Sequence, residues 1–411
     1  MAKVFSKSVI TAIDIGTTKI CVLIAQKTSD ETVDILGIGK APSHGLSRGV
    51  VVDIGKTVMS IKQAIKEAEL MADCQIDAAY IGISGSHIQS FNSSGAVHIK
   101  RGQVTHADIA AVLESARAVP VEKGQKVLHV LPQYFVVDGK DKISNPIGLH
   151  GIRLEAVVHV ITGSLASMQD LIKCCELAGV RVQDIVLEQL ASAQGVLSYD
   201  ELELGVGMLD IGGGTSDFAV YQKGSIRYTK VFPIAGNMFT QDLAIGLRST
   251  IADAERIKRE HGYVGRDYQS GQGSVIIEQV QGKHSVEVLQ EDISYILMAR
   301  AHELFMMVED EIRYTQLAAY LTSGLVITGG GSLLKGIDEL AQDILSLPVR
   351  IGYPKADQLL FNSLQDPKYA TGYGLLMFAI SSKNTLGIEH MEGPLVKKLF
   401  VKMKSWVSDF F

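Results

Sequence analysis

Residues that mark several protein classes are scarce in this chain. Its 411 residues include only 4 cysteines, 9 prolines and 1 tryptophan. The cysteines, at positions 21, 74, 174 and 175, show no Cys-x-x-Cys spacing, and adjacent cysteines do not readily bridge. We therefore predict reduced thiols in a cytosolic compartment. The 11 histidines are scattered along the chain, which predicts no metal site made by protein ligands alone.

Long apolar runs and an excess of basic charge are also missing. No stretch approaches the ~18 apolar residues that span a bilayer, and residues 1–8 do not begin a signal peptide. We predict neither a transmembrane helix nor secretion. The net charge of −6 argues against nucleic-acid binding through a broad basic surface. A hydrophobic fraction of 46% excludes a disordered chain, and the length predicts two to four domains.

Glycine is abundant, with 40 residues, and several glycines lie in an internal repeat. Residues 12–23 align with residues 208–219, so that Asp14 matches Asp210 and Gly16 matches Gly212. Each copy has an apolar strand, a glycine-rich turn and a second apolar strand, a pattern that predicts a β-hairpin. A third strand, ending near a proline, follows each copy at residues 33–42 and 225–233.

The repeat continues downstream. A buried-strand pattern at 157–164 precedes a helical stretch at 165–178, and a similar pattern at 325–332 precedes a helical stretch at 333–345. A duplicated α/β unit with two lobes explains both halves. Residues 85–155 and 234–301 interrupt it as insertions of subdomain size. A long helix is predicted over 294–317 and an apolar helix over 372–381.

These patterns predict six parts of the chain. They are a first lobe core (1–84, 156–203 and 371–381), its inserted subdomain (85–155), a second lobe core (204–233 and 302–370), its insertion (234–301), a linker (382–394) and a C-terminal amphipathic helix (395–411).

Three glycine-rich stretches predict a nucleotide-binding site. In the turns at 14–19 and 210–215, glycines let backbone N–H groups converge on an anion. Hydroxyl groups of threonines add donors, and Lys19 neutralises phosphate charge. Asp14 and Asp210 stand at matching strand ends, where paired carboxylates hold Mg²⁺ through its waters. The stretch 328–332 ends a strand and opens a helix, so its amides approach a ribose and α-phosphate. One such stretch alone would more simply be a tight turn, but three in this order favour a nucleotide.

The whole chain resembles the FtsA family of bacterial actin-like cell-division proteins, within the superfamily of actin, heat-shock chaperones and sugar kinases. The resemblance lies in those turns and in the stretches 37–49, 68–76 and 145–153. It implies a duplicated actin-like (ribonuclease H-like) two-lobe ATPase fold that binds ATP and Mg²⁺. The implied nucleotide contacts are Asp14, Gly16, Thr17, Thr18, Lys19, Gly212, Gly213, Gly214, Thr215, Glu255, Lys258, Gly329, Gly330, Gly331 and Ser332.

Catalysis is left open by the sequence. The resemblance implies that Glu188 orients a water molecule for hydrolysis, with Asp210 as a further carboxylate, but Gln189 departs from the proline common in relatives. We predict ATP binding, with weak hydrolysis as a possibility, in a protein that is mainly a scaffold. A sugar or acid kinase and an actin-like pilus-assembly adaptor are the alternatives.

The C-terminal segment 395–411 predicts a helix that lies in the membrane surface. On a helical wheel nine of its apolar residues, including the single tryptophan, fall within an arc of about 160°. Lysines, two serines and one aspartate occupy the rest, with Val401 as the one apolar exception. The segment has four lysines and one aspartate, so it carries +3 and the rest of the chain carries −9. The alternative is packing on the protein's own core or on a partner. Predicted membrane contacts are Leu395, Val396, Lys397, Lys398, Leu399, Phe400, Lys402, Met403, Lys404, Trp406, Val407, Phe410 and Phe411.

The resemblance also implies partners. It implies filaments of this protein on the cytoplasmic face of the inner membrane at midcell, bound to anionic lipid, that anchor the FtsZ ring and recruit later division proteins. Arg300 on the long helix is the implied contact for the acidic FtsZ tail. The insertion 85–155 is implied in self-association and in contacts with later division proteins.

Overall fold

A computed structural model describes residues 9–28, 33–265, 273–279, 285–355 and 364–386. The first strands are rich in β-branched residues and are buried on both faces, as expected when helices cover both sides of a sheet. The elements up to residue 204 are β1 (Val9–Ile15), β2 (Lys19–Lys27), β3 (Val33–Pro42), β4 (Leu46–Ser47), β5 (Val50–Val51), α1 (Ile54–Ala72), β6 (Ala78–Ile83), β7 (Gln89–His98), α2 (His106–Arg117), β8 (Gln125–Val137), β9 (Arg153–Ser164), α3 (Leu165–Leu177), β10 (Arg181–Leu187), α4 (Glu188–Val196) and α5 (Tyr199–Leu204).

The second half repeats this succession. Its elements are β11 (Val206–Ile211), β12 (Ser216–Gln222), β13 (Ser225–Phe232), α6 (Gly236–Leu247), α7 (Ile251–His261), β14 (Ser274–Glu278), β15 (Ser285–Leu289), α8 (Gln290–Tyr314), β16 (Leu325–Thr328), α9 (Ile337–Leu345), β17 (Val349–Ile351) and α10 (Ala370–Leu386).

Two five-stranded sheets share one topology, which confirms the predicted duplication. Their strand orders are β10-β6-β1-β2-β3 and β17-β16-β11-β12-β13. In each sheet three consecutive strands pair antiparallel, and two further strands add in parallel on the other side. The correspondence of every pairing shows that the two lobes are built on the same plan.

Helices α4 and α10 lie between the two sheets. Ala191 and Leu376 pack with β1 and β2 of the first sheet, whereas Ala193 and Ala370 pack with β11 and β12 of the second. Helices α1 and α3 cover the other face of the first sheet, and α6, α8 and α9 cover that of the second. The N-terminus of α4 is therefore held at the junction of the lobes.

Strand β9 corrects one sequence prediction. The stretch 157–164 was matched to the core strand at 325–332, but β9 pairs with β7 and β8 in a separate three-stranded sheet. In the first lobe the strand equivalent to β16 is β6, which lies parallel to β1. Strands β9 and β16 are both apolar and both precede a helix along the chain, so the sequence pattern alone matches them to each other. The proposed boundary between residues 155 and 156 falls inside β9.

Several predicted helix limits also differ. Helix α8 spans residues 290–314 rather than 294–317, so the proposed boundary at 301 falls inside it. Residues 330–333 form a 3₁₀ turn, and α9 begins only at Ile337, after Gly336 adopts a left-handed conformation with φ of 78°. Helix α10 continues to Leu386, so residues 382–386 belong to a helix and not to a linker.

Buried polar groups join the inserted sheet to the second lobe. His159 on β9 contacts Asn92 Oδ1 on β7 through Nδ1 at 2.8 Å and Thr229 Oγ1 on β13 through Nε2 at 3.0 Å. Gln133 on β8 donates to the carbonyl of Ile226 at 3.0 Å. Because β13 is the outer strand of the second sheet, the insertion of one lobe packs against the edge of the other.

The predicted membrane helix 395–411 lies outside the described residues. Within the described ranges, no helix is both long and apolar enough to cross a membrane.

Candidate nucleotide-binding site

Two equivalent hairpin turns, one from each lobe, form the centre of the candidate site. The amide of Gly16 donates to the carbonyl of Lys19 at 3.0 Å, and the amide of Gly212 donates to the carbonyl of Thr215 at the same distance. The turns face each other closely, since a Cβ atom added to Gly213 would overlap the side chain of Thr18. Glycine is therefore required for the two turns to approach this closely.

The tips of these turns carry backbone donors that no group of the described chain satisfies. In the described part of the chain, the amides of Thr17, Thr18, Gly213 and Gly214 make no hydrogen bond to protein. Converging amide donors of this kind form an anion-binding concavity. The turns thus have the chemistry that phosphate groups require.

Four carboxyl groups meet behind the turns. Asp14 and Asp210 end β1 and β11, Glu188 begins α4, and Asp217 lies at the start of β12. Burial and the neighbouring charges of Asp14, Asp217 and Asp210 raise the pKa of Glu188 well above its ordinary value. Burial likewise raises the pKa of Asp210 and brings that of Asp217 to about 7. So much confined negative charge favours a cation in this cleft.

Hydrogen bonds from several elements fix these carboxyl groups. Asp210 Oδ2 accepts from Ser192 Oγ on α4 at 2.6 Å and from Thr371 Oγ1 on α10 at 3.1 Å. Asp217 accepts from Ser84 Oγ after β6 and from Gln189 Nε2 at 2.8 Å. Gln189 and Ser192 follow Glu188 on α4. Nothing in the sequence pointed to Ser84 or Thr371, which are distant along the chain.

Lys19 lies at the first turn, as predicted. Its Nζ atom is 3.3 Å from Asp14 Oδ2 and donates to the carbonyl of Lys368 at 2.5 Å. Although burial lowers it, the pKa of Lys19 is raised overall, chiefly by Asp14. The same Nζ lies 4.9 Å from the ring centroid of Tyr369, a cation–π contact that also holds it in place. Lys19 is therefore a fixed positive charge beside the glycine turn.

The glycine-rich segment after β16 completes the second lobe's side of the site. Gly329 has φ of 82°, and a Cβ atom there would lie 2.6 Å from the carbonyl oxygen of Ile211 and overlap Asp210 Oδ1. Ser332 Oγ donates to the Gly329 carbonyl at 2.7 Å, which closes the 3₁₀ turn. This turn, and not the start of an α-helix as the sequence predicted, lies against Asp210.

Glu255 and Lys258 on α7 are also brought to the second turn. Lys258 Nζ donates to the Gly236 carbonyl at 3.0 Å and to Glu255 Oε2 at 2.6 Å. The amide of Gly236 in turn donates to the carbonyl of Gly212 at 2.9 Å. The charged face of α7 is thus tied to the turn through α6, so these two side chains are not simply solvated surface charges.

Direct metal coordination by protein is not found in the described ranges, where no group of three histidine, cysteine, aspartate or glutamate side chains is arranged to hold an ion. Asp14 and Asp210 nevertheless fit an outer-sphere role, because Mg²⁺ commonly keeps its waters and binds proteins through one or two carboxylates.

Arg300, predicted to contact an acidic partner, is engaged within the protein. Its Nε and Nη2 atoms donate to the two carboxylate oxygens of Asp242 on α6 at 2.6 and 3.0 Å. Its Nη1 atom donates to Glu303 at 2.5 Å. This network could not be predicted from the sequence, because Asp242 is 58 residues away.

Solved structures place the fold in a class. The chain matches the structure described as the PilM-PilN type IV pilus biogenesis complex with a TM-score of 0.66 at 15% identity, covering 90% of this chain and 98% of that one. It matches MreB5 of Spiroplasma citri bound to AMPPNP with a TM-score of 0.58 at 15% identity, covering 93% and 99%. The two duplicated lobes and their facing glycine turns define a protein of the actin-like ATPase fold.

The sequence comparisons identify the family. A family model described as cell division protein FtsA matches residues 207–374, and one described as the SHS2 domain inserted in FtsA matches residues 85–162. Cell division protein FtsA of Pseudomonas aeruginosa is 40% identical over 100% of both chains, and that of Neisseria meningitidis is 39% identical over 98% of both. That of Escherichia coli K12 is 36% identical over 99% of this chain and 97% of its own. This chain belongs to the FtsA family of bacterial cell-division proteins.

Proposed function

We propose that this protein binds ATP with Mg²⁺ between its lobes, assembles into filaments on the cytoplasmic face of the inner membrane, and anchors the FtsZ ring there at midcell. The observation that carries the nucleotide site is the pair of equivalent glycine turns, which approach each other closely, have tip amides without a partner in the described chain, and lie beside a cluster of buried carboxyl groups. The crystal structure of MreB5 of Spiroplasma citri, which has the same fold, is bound to AMPPNP, and this supports a nucleotide site in this fold.

Each site residue has a proposed role. The amides of Thr17, Thr18, Gly213 and Gly214 would hold phosphate oxygens, and the fixed charge of Lys19 would neutralise them. Bound Mg²⁺, which Asp14 and Asp210 would hold through water, would offset the remaining negative charge. The proposed ribose and base contacts are Glu255, Lys258 and the segment Gly329, Gly330, Gly331 and Ser332.

Hydrolysis is a separate proposal. A positioned water needs a hydrogen-bond acceptor beside it, and Glu188 is placed at the N-terminus of α4, among the other carboxyl groups. Its raised pKa shows that the carboxyl group is protonated more readily than usual in the absence of a cation. A metal-defined ATPase assay in which Glu188→Ala left a measurable wild-type rate unchanged would remove Glu188 from the mechanism.

Membrane attachment is proposed to depend on residues 395–411. The +3 charge of this segment favours an anionic leaflet, which repels the −9 charge of the remaining chain. The lysines would contribute about 1 kcal/mol each near the surface, and burial of the apolar face would supply the rest. Opposed charges of tail and body would thus orient the protein on the membrane.

Sedimentation with lipid vesicles tests membrane attachment and the effect of ATP together. Wild-type protein should sediment with phosphatidylglycerol vesicles more strongly with ATP than without, since filaments add many tails to one assembly. Removal of residues 397–411 should abolish sedimentation in both conditions. Gly213→Val should abolish only the ATP-dependent increment. Undiminished sedimentation of the truncated protein would refute the membrane role, and an ATP effect that survives Gly213→Val would refute the nucleotide role.

Binding of the FtsZ tail can be separated from these properties. An acidic tail at α8 would have to compete with Asp242 for Arg300. Arg300→Ala should therefore lower capture by the immobilised last residues of the cognate FtsZ, while Arg313→Ala, which removes an exposed pair on the same helix, should not. Equal capture of wild type and Arg300→Ala would contradict this assignment.

The insertion 85–155 is proposed to contribute to self-association and to contacts with later division proteins of the membrane. Its edge exposes Ile152 with 67% of its surface accessible, in a stretch that carries the family resemblance. Ile152→Lys should therefore weaken filament formation without changing ATP binding, which analytical ultracentrifugation and calorimetry measure independently.

A further inference from the structure

A cavity of about 510 Å³ lies between the inserted sheet and the second lobe, away from the glycine turns. One side is formed by β8 and residues 142–144, and the other by the turn between β12 and β13 and by residues 315–320. Its volume falls within the range of about 300–1,000 Å³ that is typical of small-molecule sites. No residue given a role at the nucleotide site lines it.

The charge of this cavity is opposite to that of the protein. Lys142, Lys223 and Arg227 line it, and no aspartate or glutamate is among the described residues of its wall. The whole chain carries −6. Glu311, which accepts a hydrogen bond from the Tyr228 hydroxyl beside the cavity, is paired with Lys230 at 3.4 Å. The wall therefore concentrates uncompensated positive charge.

Arg227 is the residue that points most directly to a ligand. Its Nη2 atom donates to the Gln222 carbonyl at 3.2 Å, but its Nε atom is buried and has no hydrogen-bond partner in the described part of the chain. Burial lowers its pKa, and no carboxylate offsets that effect. A buried donor left unpaired is costly, and a planar guanidinium is well matched to a carboxylate or phosphate group.

We propose that this cavity binds a small multivalent oxyanion, of phosphate or carboxylate type, held by Arg227 together with Lys142 and Lys223. Lys142 belongs to the insertion, whereas Arg227 and Lys223 belong to the second lobe. Lys142 Nζ is also held 4.5 Å from the ring centroid of Tyr134 on the insertion side. The ligand bridges the two parts of the protein beside the hydrogen bonds of Gln133, and so strengthens their contact.

Calorimetric titration of the full-length protein with pyrophosphate and, separately, with citrate tests this site. Gly213→Val is the background for every titration, because it blocks the glycine turns where pyrophosphate would otherwise bind. Binding of at least one of the two probes is expected. Arg227→Gln should weaken it about tenfold or more, since a charge-assisted hydrogen bond is lost. Lys142→Gln should weaken it less, and Lys123→Gln, an exposed control on the insertion, should leave it unchanged.

Preference for pyrophosphate would assign a phosphate ligand, and preference for citrate a carboxylate ligand; both outcomes support the site. Absence of binding by either probe to the Gly213→Val protein would overturn the proposal. Equal affinities of the Arg227→Gln and Lys123→Gln proteins would also overturn it. Circular dichroism of each variant verifies that it is folded, and Arg227→Lys, which keeps the charge, should recover part of the affinity.

Discussion

Asp217 gives the sharpest test of the electrostatics inferred for the cleft. Burial raises its pKa from 3.8 to about 7 in the folded protein. Below pH 4 the carboxyl group is protonated in the folded and unfolded chains alike, so it has no effect. Between pH 4 and 7 the unfolded chain loses the proton first, and folding becomes less favourable as the pH rises. Asp217→Asn should remove this penalty.

The size of the effect follows from the shift in pKa. A difference of about 3 pH units corresponds to at most about 4 kcal/mol at pH 8. The amide can keep the geometry, because Asp217 accepts from Gln189 and Ser84 through Oδ1, and the Thr215 hydroxyl near Oδ2 at 3.2 Å can accept as well as donate. Repositioning these groups should cost about 1 kcal/mol at every pH.

Urea unfolding of wild type and Asp217→Asn at pH 5, 6, 7 and 8, without nucleotide or Mg²⁺, measures this difference. The advantage of the variant should grow with pH up to about 7 and then level off. Titrating groups distant from Asp217 are common to both proteins and cancel in the comparison. Glu188 does not cancel, because the charge of Asp217 contributes to its raised pKa, and the loss of that charge in the variant adds to the stabilisation at higher pH. A difference in unfolding free energy that did not change with pH would refute the inferred burial of an acidic carboxyl group here.

Three further outcomes are expected from urea or thermal unfolding. Burial lowers the pKa of His159 to about 4 in the folded protein. The unfolded chain therefore takes up the proton first as the pH falls from 6.5 to 4, and the protein should lose up to about 3 kcal/mol of stability over this range. His159→Gln should reduce that loss. Gly329→Ala should destabilise the protein by about 2–4 kcal/mol because of its positive φ and the close backbone, whereas Gly55→Ala in α1 should change stability by less than about 1 kcal/mol. Arg300→Ala should lower the unfolding free energy by about 1–2 kcal/mol, because it leaves the half-buried carboxylate of Asp242 unpaired. Arg313→Ala removes an exposed ion pair and should lower it by less than about 0.5 kcal/mol.

The sequence predicted the parts of the site that are local. Asp14 and Asp210 could be aligned because each stands next to its own glycine turn, and a duplicated pattern places equivalent residues in equivalent positions. The turn of Gly329 was recognisable from its own three consecutive glycines, although its match to residues 157–164 was wrong. These features depend on a few consecutive residues, so periodicity and turn chemistry were sufficient.

Other features depend on which elements pack together. The sequence could not show that β9 belongs to the inserted sheet, since its apolar pattern suits either sheet and only strand pairing decides. The hydrogen bond from Thr371 to Asp210 requires α10 to return beneath the second turn, 161 residues along the chain. The pairing of Arg300 with Asp242 likewise arises from the packing of α6 on α8. The family resemblance implied a partner contact for Arg300, and the sequence by itself suggested only an exposed helix charge.

Equilibrium binding of ATP in the presence of Mg²⁺ tests most directly whether the two duplicated turns act together. A Cβ atom at Gly16 would lie 2.9 Å from the Lys19 carbonyl oxygen, and one at Gly212 would lie 3.0 Å from that of Thr215. Gly16→Ala and Gly212→Ala should therefore distort equivalent turns, and each should weaken ATP binding by about tenfold or more, with Gly55→Ala as the unaffected control. Wild-type affinity in either turn variant, or no ATP binding by the wild-type protein, would contradict a nucleotide site shared by the two lobes.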